Sequence, residues 1–536
     1  MLHNEVPLAR RLVQVGAAIF WCLLSGGPIF GFAALKPVLI NEGIYEDICY
    51  AANSTMTDNS ISSFGSIDYL TTLTLKVAGS VIGVEGASTA ACTAQDLKLN
   101  MMFTVGAVTT NISALVIGRI LDVKGPRVCC LIGSFFLYIA CAVFIFAKQL
   151  SPYFDPYLVG YGAMALGGPF CYMSSFNLSN AFPQYSGSIL ALITGAFDAS
   201  SAVFLIYKLI YVKLQTWFTL DKFFKAYLFV PTFITLCQFF IMYGDSYKAE
   251  GSLCDDAGED TDNAIVSTPN TIAEVLDENT HLVPSTSHKG RRDSMGDAIL
   301  THYASEGEAQ LIKQTGGIFG VLHGYSASYQ IKTPWFALMA FYVILQMLRL
   351  NYFVATIHSQ YVYLFNSIKK ADKINKYFDI MLPLGGVISV PFVGMLLDNF
   401  STEFVLFTLM GSSVFLGVCG LLRQCVIGYI NVSLFVVFRP LFYTVVSDFC
   451  AKVFGFETFG TVYGLMMTTS GVFNYYQSYL DKLTHTTFQM NPIPINLVLT
   501  LATVVFGGSL LAFVVTQIKK RQDVVKDGHH HHHHEL

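Results

Sequence analysis

Long apolar runs separated by short polar turns set the pattern of this chain. Twelve runs come close to or exceed the ~20 residues that an apolar helix needs to cross a bilayer. They cover residues 12–35, 99–117, 128–147, 157–176, 188–211, 226–243, 335–364, 377–397, 404–422, 427–446, 459–480 and 497–518. Runs this long exceed a barrel strand, and hydrocarbon offers the backbone no outside partner, so the pattern predicts membrane-spanning α-helices. The runs fall six and six on either side of residues 244–334, a stretch rich in Asp, Glu, Ser, Thr and Asn with no extended apolar run. That stretch reads as a largely disordered linker. The expected architecture is an all-α membrane protein. A six-helix half covers 1–243, the linker 244–334, a second six-helix half 335–518 and a polar tail 519–536.

Composition agrees with that reading. Of 536 residues, 53% are hydrophobic and only 13% charged, against about 25% charged in soluble chains. Net charge is −4, which gives no basic surface for nucleic acid. His529 to His534 read as an expression tag and are set aside. Most of the twelve cysteines lie in or beside apolar runs, where cysteine acts as a small hydrophobe, and no Cys-x-x-Cys spacing occurs. No metal, cofactor or nucleophile–base cluster is implied, so an enzyme is disfavoured.

Orientation follows Lys and Arg. Arg10, Arg11, Arg119, Lys124, Arg127, Arg291, Arg292, Lys519, Lys520 and Arg521 put the termini and linker in the cytosol. Lys213, Lys222, Lys225, Lys369, Lys370, Lys373 and Lys376 lie on the opposite side and dissent. Loop 41–98 then faces outside or an organelle lumen. There Cys49 and Cys92 either bridge or stay as free thiols, and Asn53 heads a glycosylation sequon.

Between the second and third runs stands Gly118-Arg119-Ile120-Leu121-Asp122-Val123-Lys124-Gly125-Pro126-Arg127. About half the chain later comes Gly394-Met395-Leu396-Leu397-Asp398, again Gly with Asp four residues on. The echo points to an internal duplication. The first copy resembles the loop motif between helices 2 and 3 of the major facilitator superfamily.

Four further stretches narrow the likeness: 92–106, Thr194 to Val203 with Asp198 inside, Gln346 to Tyr352, and Phe459 to Leu465. Together they resemble the sodium-independent large-neutral-amino-acid facilitators and their fungal and apicomplexan relatives. The resemblance implies amino-acid transport by alternating access between two halves, either facilitative or with protons. It also implies a cytosolic gate at Arg119, Asp122 and Arg127, with Asp398 as a barer counterpart lacking the trailing basic residues.

Within the spans, Ser25-Gly26-Gly27-Pro28 interrupts the first helix. Broken transporter helices expose amides that can hold a substrate carboxylate; a simple kink uses the same residues. Asp198 is an acid deep in the fifth span, where an unpaired charge costs several kcal/mol. It could take a substrate ammonium, a cationic side chain or a coupling proton, or pair with Arg349 or Arg439. Each arginine could clamp a carboxylate or lock two helices. Ser201, Tyr352 and Tyr443 complete the candidate substrate contacts. Asp448 and Glu457 are weaker candidates for the gate.

The expected function is a monomeric carrier of neutral or cationic amino acids in the plasma membrane or a vacuole-like membrane. The alternatives are a nutrient receptor without net flux, and a proton-coupled carrier of monocarboxylates or other small organic molecules.

Overall fold

The structure, a computed structural model, describes residues 3–49, 93–244, 246–247, 318–474 and 476–533. Within these residues every long element is helical. The first half contains α1 (Leu8–Ser25), α2 (Phe32–Asn41), α3 (Thr93–Ile112), α4 (Ala114–Lys124), α5 (Pro126–Ile145), α6 (Pro156–Met173), α7 (Ser186–Ala199), α8 (Ala202–Lys213), α9 (Leu220–Tyr227) and α10 (Phe229–Phe240). The second contains α11 (Pro334–Phe365), α12 (Ile368–Asn399), α13 (Thr402–Cys419), α14 (Cys425–Phe454), α15 (Phe456–Phe473), α16 (Tyr476–Thr486) and α17 (Ile493–His533).

These pieces form twelve spans, because several are broken in the middle. The pairs α1–α2, α3–α4, α7–α8, α9–α10 and α15–α16 each make one span. Ten of the described helices are long and apolar enough to cross a membrane by composition alone. The other two spans are the fourth (α6) and the eleventh (α15–α16). Both carry Gly and Tyr in place of aliphatic residues, the eleventh adds Thr, and most of α6 is buried. Interior spans face other helices rather than lipid, so they can be less apolar. The converse holds outside: Phe240 is 76% exposed and Phe407 61%, an apolar surface that suits lipid.

Local sequence sets the ends. Pro126, Pro156 and Pro334 occupy first-turn positions, where the missing N–H costs nothing. Asp155, Ser367 and Ser401 cap α6, α12 and α13 by accepting an amide three residues on. Gly125 turns the chain between α4 and α5 at φ +86°, in the left-handed region that glycine tolerates. The dissenting lysines 369, 370, 373 and 376 lie on the exposed face of the first turns of α12, an extension of the eighth span.

Between helices in lipid there is little hydrophobic drive, so close packing must hold the halves together. Small residues provide it at two seams. On the second and eleventh spans, Ala114 and Gly118 meet Gly460 and Gly464, a four-residue repeat on each helix. A Cβ on Gly118 would fall 1.7 Å from the Gly460 carbonyl oxygen, and one on Gly464 2.4 Å from that of Ala114. On the fifth and eighth spans, Gly187 and Gly195 meet Leu397 and Gly386. A Cβ on Gly195 would lie 2.4 Å from the Gly386 carbonyl oxygen.

Candidate functional site

The end of the bundle at which α1 begins is called the near end here. Asp122, at the close of the second span, reaches across to α15. Its oxygens accept from the Gly460 amide at 2.9 Å, the Thr461 amide at 2.7 Å and the Thr461 hydroxyl at 2.5 Å. Asp398, at the close of the eighth span, does the same to α7. It accepts from the Gly187 amide at 2.8 Å, the Ser188 amide at 3.3 Å and the Ser188 hydroxyl. The Gly187 and Ser188 amides belong to the first turn of α7, where an anion also meets the positive end of the helix dipole.

The gate residues named from the sequence are therefore arranged differently than expected. Arg119 is exposed and forms no ion pair with Asp122. Arg127 donates to the Met242 carbonyl at 2.8 Å, within its own half. Asp398 is not bare; its set of three donors matches that of Asp122. The basic residues after Asp122 do not distinguish the copies, because the partners are amides and hydroxyls. Asp448 pairs with Lys452 at 2.8 Å on its own helix, and Glu457 is exposed.

Further along the second–eleventh seam, Thr468 accepts from the Leu115 amide at 3.0 Å. Among the described residues, the hydrogen bonds between halves lie at the near end and along this seam. At the far end, Lys208 of α8 and Asp379 of α12 attract each other across the fifth–eighth seam without reaching ion-pair distance.

Asp198 sits on α7 one turn past the Gly195–Gly386 crossing. It is 7% exposed, and neither carboxylate oxygen has a hydrogen-bond partner. The Thr194 hydroxyl, one turn earlier on the same face, is also buried without a partner. The absence of a side chain at Gly386 leaves room: a Cβ there would meet Asp198 Cβ at 2.9 Å. Arg439 of α14 is the cation whose field reaches Asp198. It stays outside ion-pair distance, with its guanidinium 6.0 Å from the centre of the Tyr443 ring. Tyr443, one turn on, donates to Met347 Sδ at 3.3 Å.

The structure thus brings together Asp198, Arg439 and Tyr443, with the two opposite charges on different halves and unpaired. Aromatic rings extend this cluster. Tyr172 lies on Phe197 at 4.4 Å and meets Phe176 edge-on at 4.8 Å. Phe176 meets Tyr463 of the other half at 5.6 Å, also edge-on. The sequence pattern did not single out Tyr172, Phe176, Phe197 and Tyr463. A signal was available for two of them, since Phe197 adjoins Asp198 and Tyr463 lies within the stretch Phe459 to Leu465; nothing in the pattern marks Tyr172 or Phe176.

Other candidates are placed elsewhere. Ser25 is fully buried and donates to the Trp21 carbonyl at 2.6 Å. The Gly26 amide donates to the Cys22 carbonyl at 2.9 Å. The Gly27 amide donates to the Ser200 hydroxyl at 2.8 Å. The break in the first span is therefore satisfied by protein, and its glycines serve close packing. A Cβ on Gly31 would fall 2.2 Å from the Ser201 carbonyl oxygen, and Ser201 itself donates to the Asp198 carbonyl at 3.0 Å.

Arg349 does not approach Asp198; it turns into the second half, toward Thr503 on α17 at 3.4 Å. The Tyr352 hydroxyl bonds to that of Thr484 at 2.7 Å, within the second half. Cys49 follows α2 at the far end. Its expected partner Cys92 lies outside the described residues, as do Asn53 and Arg291 to Ser294.

No family model matches the chain. Over 519 residues, 95% of this chain and 95% of the relative, it is 45% identical to Protein FMP42 of Saccharomyces cerevisiae (strain ATCC 204508 / S288c). The chain belongs to the family of Protein FMP42. It is also 22% identical to Equilibrative nucleobase transporter 1 of Bos taurus over 92% of this chain and 94% of that one. Over 208 residues, 38% of this chain and 32% of the relative, it is 27% identical to Large neutral amino acids transporter small subunit 3 of Homo sapiens. Among solved structures it is similar to the major facilitator superfamily proton:xylose symporter XylE bound to 6-bromo-6-deoxy-D-glucose. The TM-score is 0.56 at 12% identity, covering 94% of this chain and 96% of that one. The fold is that of the major facilitator superfamily, twelve helices in two six-helix halves, and its long apolar helices make the chain an integral membrane protein.

Proposed function

We propose that this protein carries amino acids, neutral or cationic, by alternating access of the halves 1–243 and 335–518 around Asp198 and Arg439. One observation carries the reading. An acid and a base on opposite halves lie within each other's electrostatic reach, and the acid has no hydrogen-bond partner. An α-amino acid brings an ammonium for Asp198 and a carboxylate for Arg439, and so bridges the halves with two charge-assisted bonds. Transport is facilitative or proton-coupled, since an empty Asp198 can take a proton in place of the ammonium. On this reading the near end is cytosolic, Cys49 pairs with Cys92 in the loop of the opposite side, and Asn53 in that loop carries glycan. The protein works as a monomer in the plasma membrane or a vacuole-like membrane.

A second reading is a nucleobase carrier. The rings of Tyr172 and Phe197 could stack on a planar base while Asp198 accepts its N–H groups. The similarity to the nucleobase transporter, which spans nearly the whole chain, supports it. The reading leaves Arg439 without a role, since nucleobases are neutral.

Uptake of labelled leucine, arginine, lysine and adenine into proteoliposomes decides between them. Amino-acid uptake that Asp198→Asn and Arg439→Gln each abolish supports the first reading. Adenine uptake that survives Arg439→Gln supports the second.

A further inference from the structure

Arg349 lies halfway along α11, at the depth of the bilayer core. Among the described residues, no carboxylate lies within ion-pair distance of it. Its one hydrogen bond, to Thr503 Oγ1, is long at 3.4 Å. A guanidinium has five N–H donors, so most of them are unused. A cation in this position costs several kcal/mol unless something pairs with it.

Next to the guanidinium is a cavity of about 30 Å³, enclosed by α11, α13, α14 and α17. Gln346, Gln360, Asn431, Asn496 and Thr500 give it a polar wall. The amides of that wall already donate to one another or to neighbouring hydroxyls. Asn431 donates to the Tyr361 hydroxyl at 2.9 Å, Asn496 to Gln360 Oε1 at 3.1 Å, and Gln360 to Thr356 Oγ1 at 2.7 Å. Gln346 donates to Thr503 Oγ1 at 3.1 Å, yet its own Oε1 is buried without a partner. The cation and one carbonyl oxygen are left over. Gly417 keeps the space open, since a Cβ there would stand 2.8 Å from Arg349 Nη2.

We propose that this cavity is a halide site, occupied by chloride against the Arg349 guanidinium. A water donates one hydrogen to the ion and the other to Gln346 Oε1. A water-sized guest needs about 10–15 Å³ of such volume, so the cavity holds two and excludes an amino acid or a nucleobase. The site lies within the second half, apart from Asp198. Its occupant fixes α11 to α13 and α17 instead of travelling with the cargo.

Purified protein in detergent, moved from sodium gluconate to sodium chloride at constant ionic strength, tests the proposal. The melting temperature should rise and saturate with chloride, as native-state binding requires. Bromide should substitute for chloride and give an anomalous diffraction peak beside Arg349. In Arg349→Gln the halide-dependent rise should vanish. If that variant does not fold, Gly417→Ala, which narrows the cavity, should shift the chloride midpoint at least about tenfold upward. A melting temperature indifferent to chloride, an equal rise in Arg349→Gln, or no bromide peak beside Arg349 overturns the site.

Discussion

Asp122 takes both the amide and the hydroxyl of Thr461, a residue of the opposite half. Asp398 takes the same pair of groups from Ser188. The two seams share this relationship between an acid and a hydroxyl residue. Each carboxylate accepts three bonds, and bonds to a charged group contribute about 1.5–3 kcal/mol apiece. Both seams are therefore latched at the near end. Asp122→Ala and Asp398→Ala should each shift the halves toward near-end opening, by comparable amounts of about a thousandfold or more. The readout is alkylation of a cysteine introduced by Asn177→Cys, which lines the near-end cavity. A large effect from one latch and none from the other would contradict the equivalence.

The seam beneath the Asp122 latch leaves no room for a side chain at Gly118. With 1.7 Å between its added Cβ and the Gly460 carbonyl oxygen, both backbones would have to part. Gly118→Ala should destabilise the protein by about 3 kcal/mol or more, beyond ordinary overpacking, because backbone cannot rotate out of the way. Thermal unfolding in detergent measures this. Gly162→Ala, where nothing lies within 4 Å, is the control and should leave the melting temperature within a degree or two. Similar melting temperatures for the two variants would refute the account of the seam.

Tyr352 separates packing from recognition. Its hydroxyl bonds to Thr484 and not to the cluster around Asp198. Tyr352→Phe should lower stability by about 1 kcal/mol, the usual worth of such a bond, and leave the substrate KM unchanged. Tyr443→Phe should do the reverse, raising KM with little loss of stability, because Tyr443 stands beside Arg439. Concentration-dependent uptake and thermal unfolding on the same preparations check both. A raised KM in Tyr352→Phe would return that residue to the site.

The fold was legible in the sequence because the bilayer imposes a coarse rule. About twenty apolar residues make a span, and the polar stretch 244–334 divides six from six. The Gly–Asp echo at 118–122 and 394–398 drew attention to Asp122 and Asp398, although their hydrogen-bond partners were not visible. Nothing local to Asp122 says that the acceptor's donors are amides some 340 residues away. Asp198 was recognisable because a lone acid at that depth is costly. That Arg349 and Tyr352 bond within their own half was not legible, for a physical reason. Span seven is apolar on most sides, so its pattern does not tell which face meets the cleft and which meets its own half. The small-residue repeats Ala114/Gly118 and Gly460/Gly464 stand in the sequence at four-residue spacing, the pattern of close helix packing in lipid. That spacing marks each helix as one that packs closely, without naming its partner.

The last prediction concerns the segment that leads into α11. Ile318 and Leu322 are buried, and the Gly320 and Leu322 amides donate to the Lys452 and Val453 carbonyls, both at 3.0 Å. Gln330 fastens the contact: it donates to the Leu322 carbonyl at 2.8 Å and the Phe454 carbonyl at 2.9 Å, and accepts from Thr458 at 2.6 Å. The turn from α14 to α15 is thereby clasped a few residues before Gly460 and Thr461, the donors to Asp122. Gln330→Ala removes three bonds and leaves the Phe454 carbonyl with the Thr458 hydroxyl alone as its side-chain donor, a loss of about 2–3 kcal/mol in local stability. Amide exchange at residues 452–461 should accelerate about thirtyfold or more, and exchange in α5 and α6 should not change. If the acceleration is absent, the segment merely lies against the turn; if it spreads through the whole protein, the clasp belongs to the global fold and not to the gate.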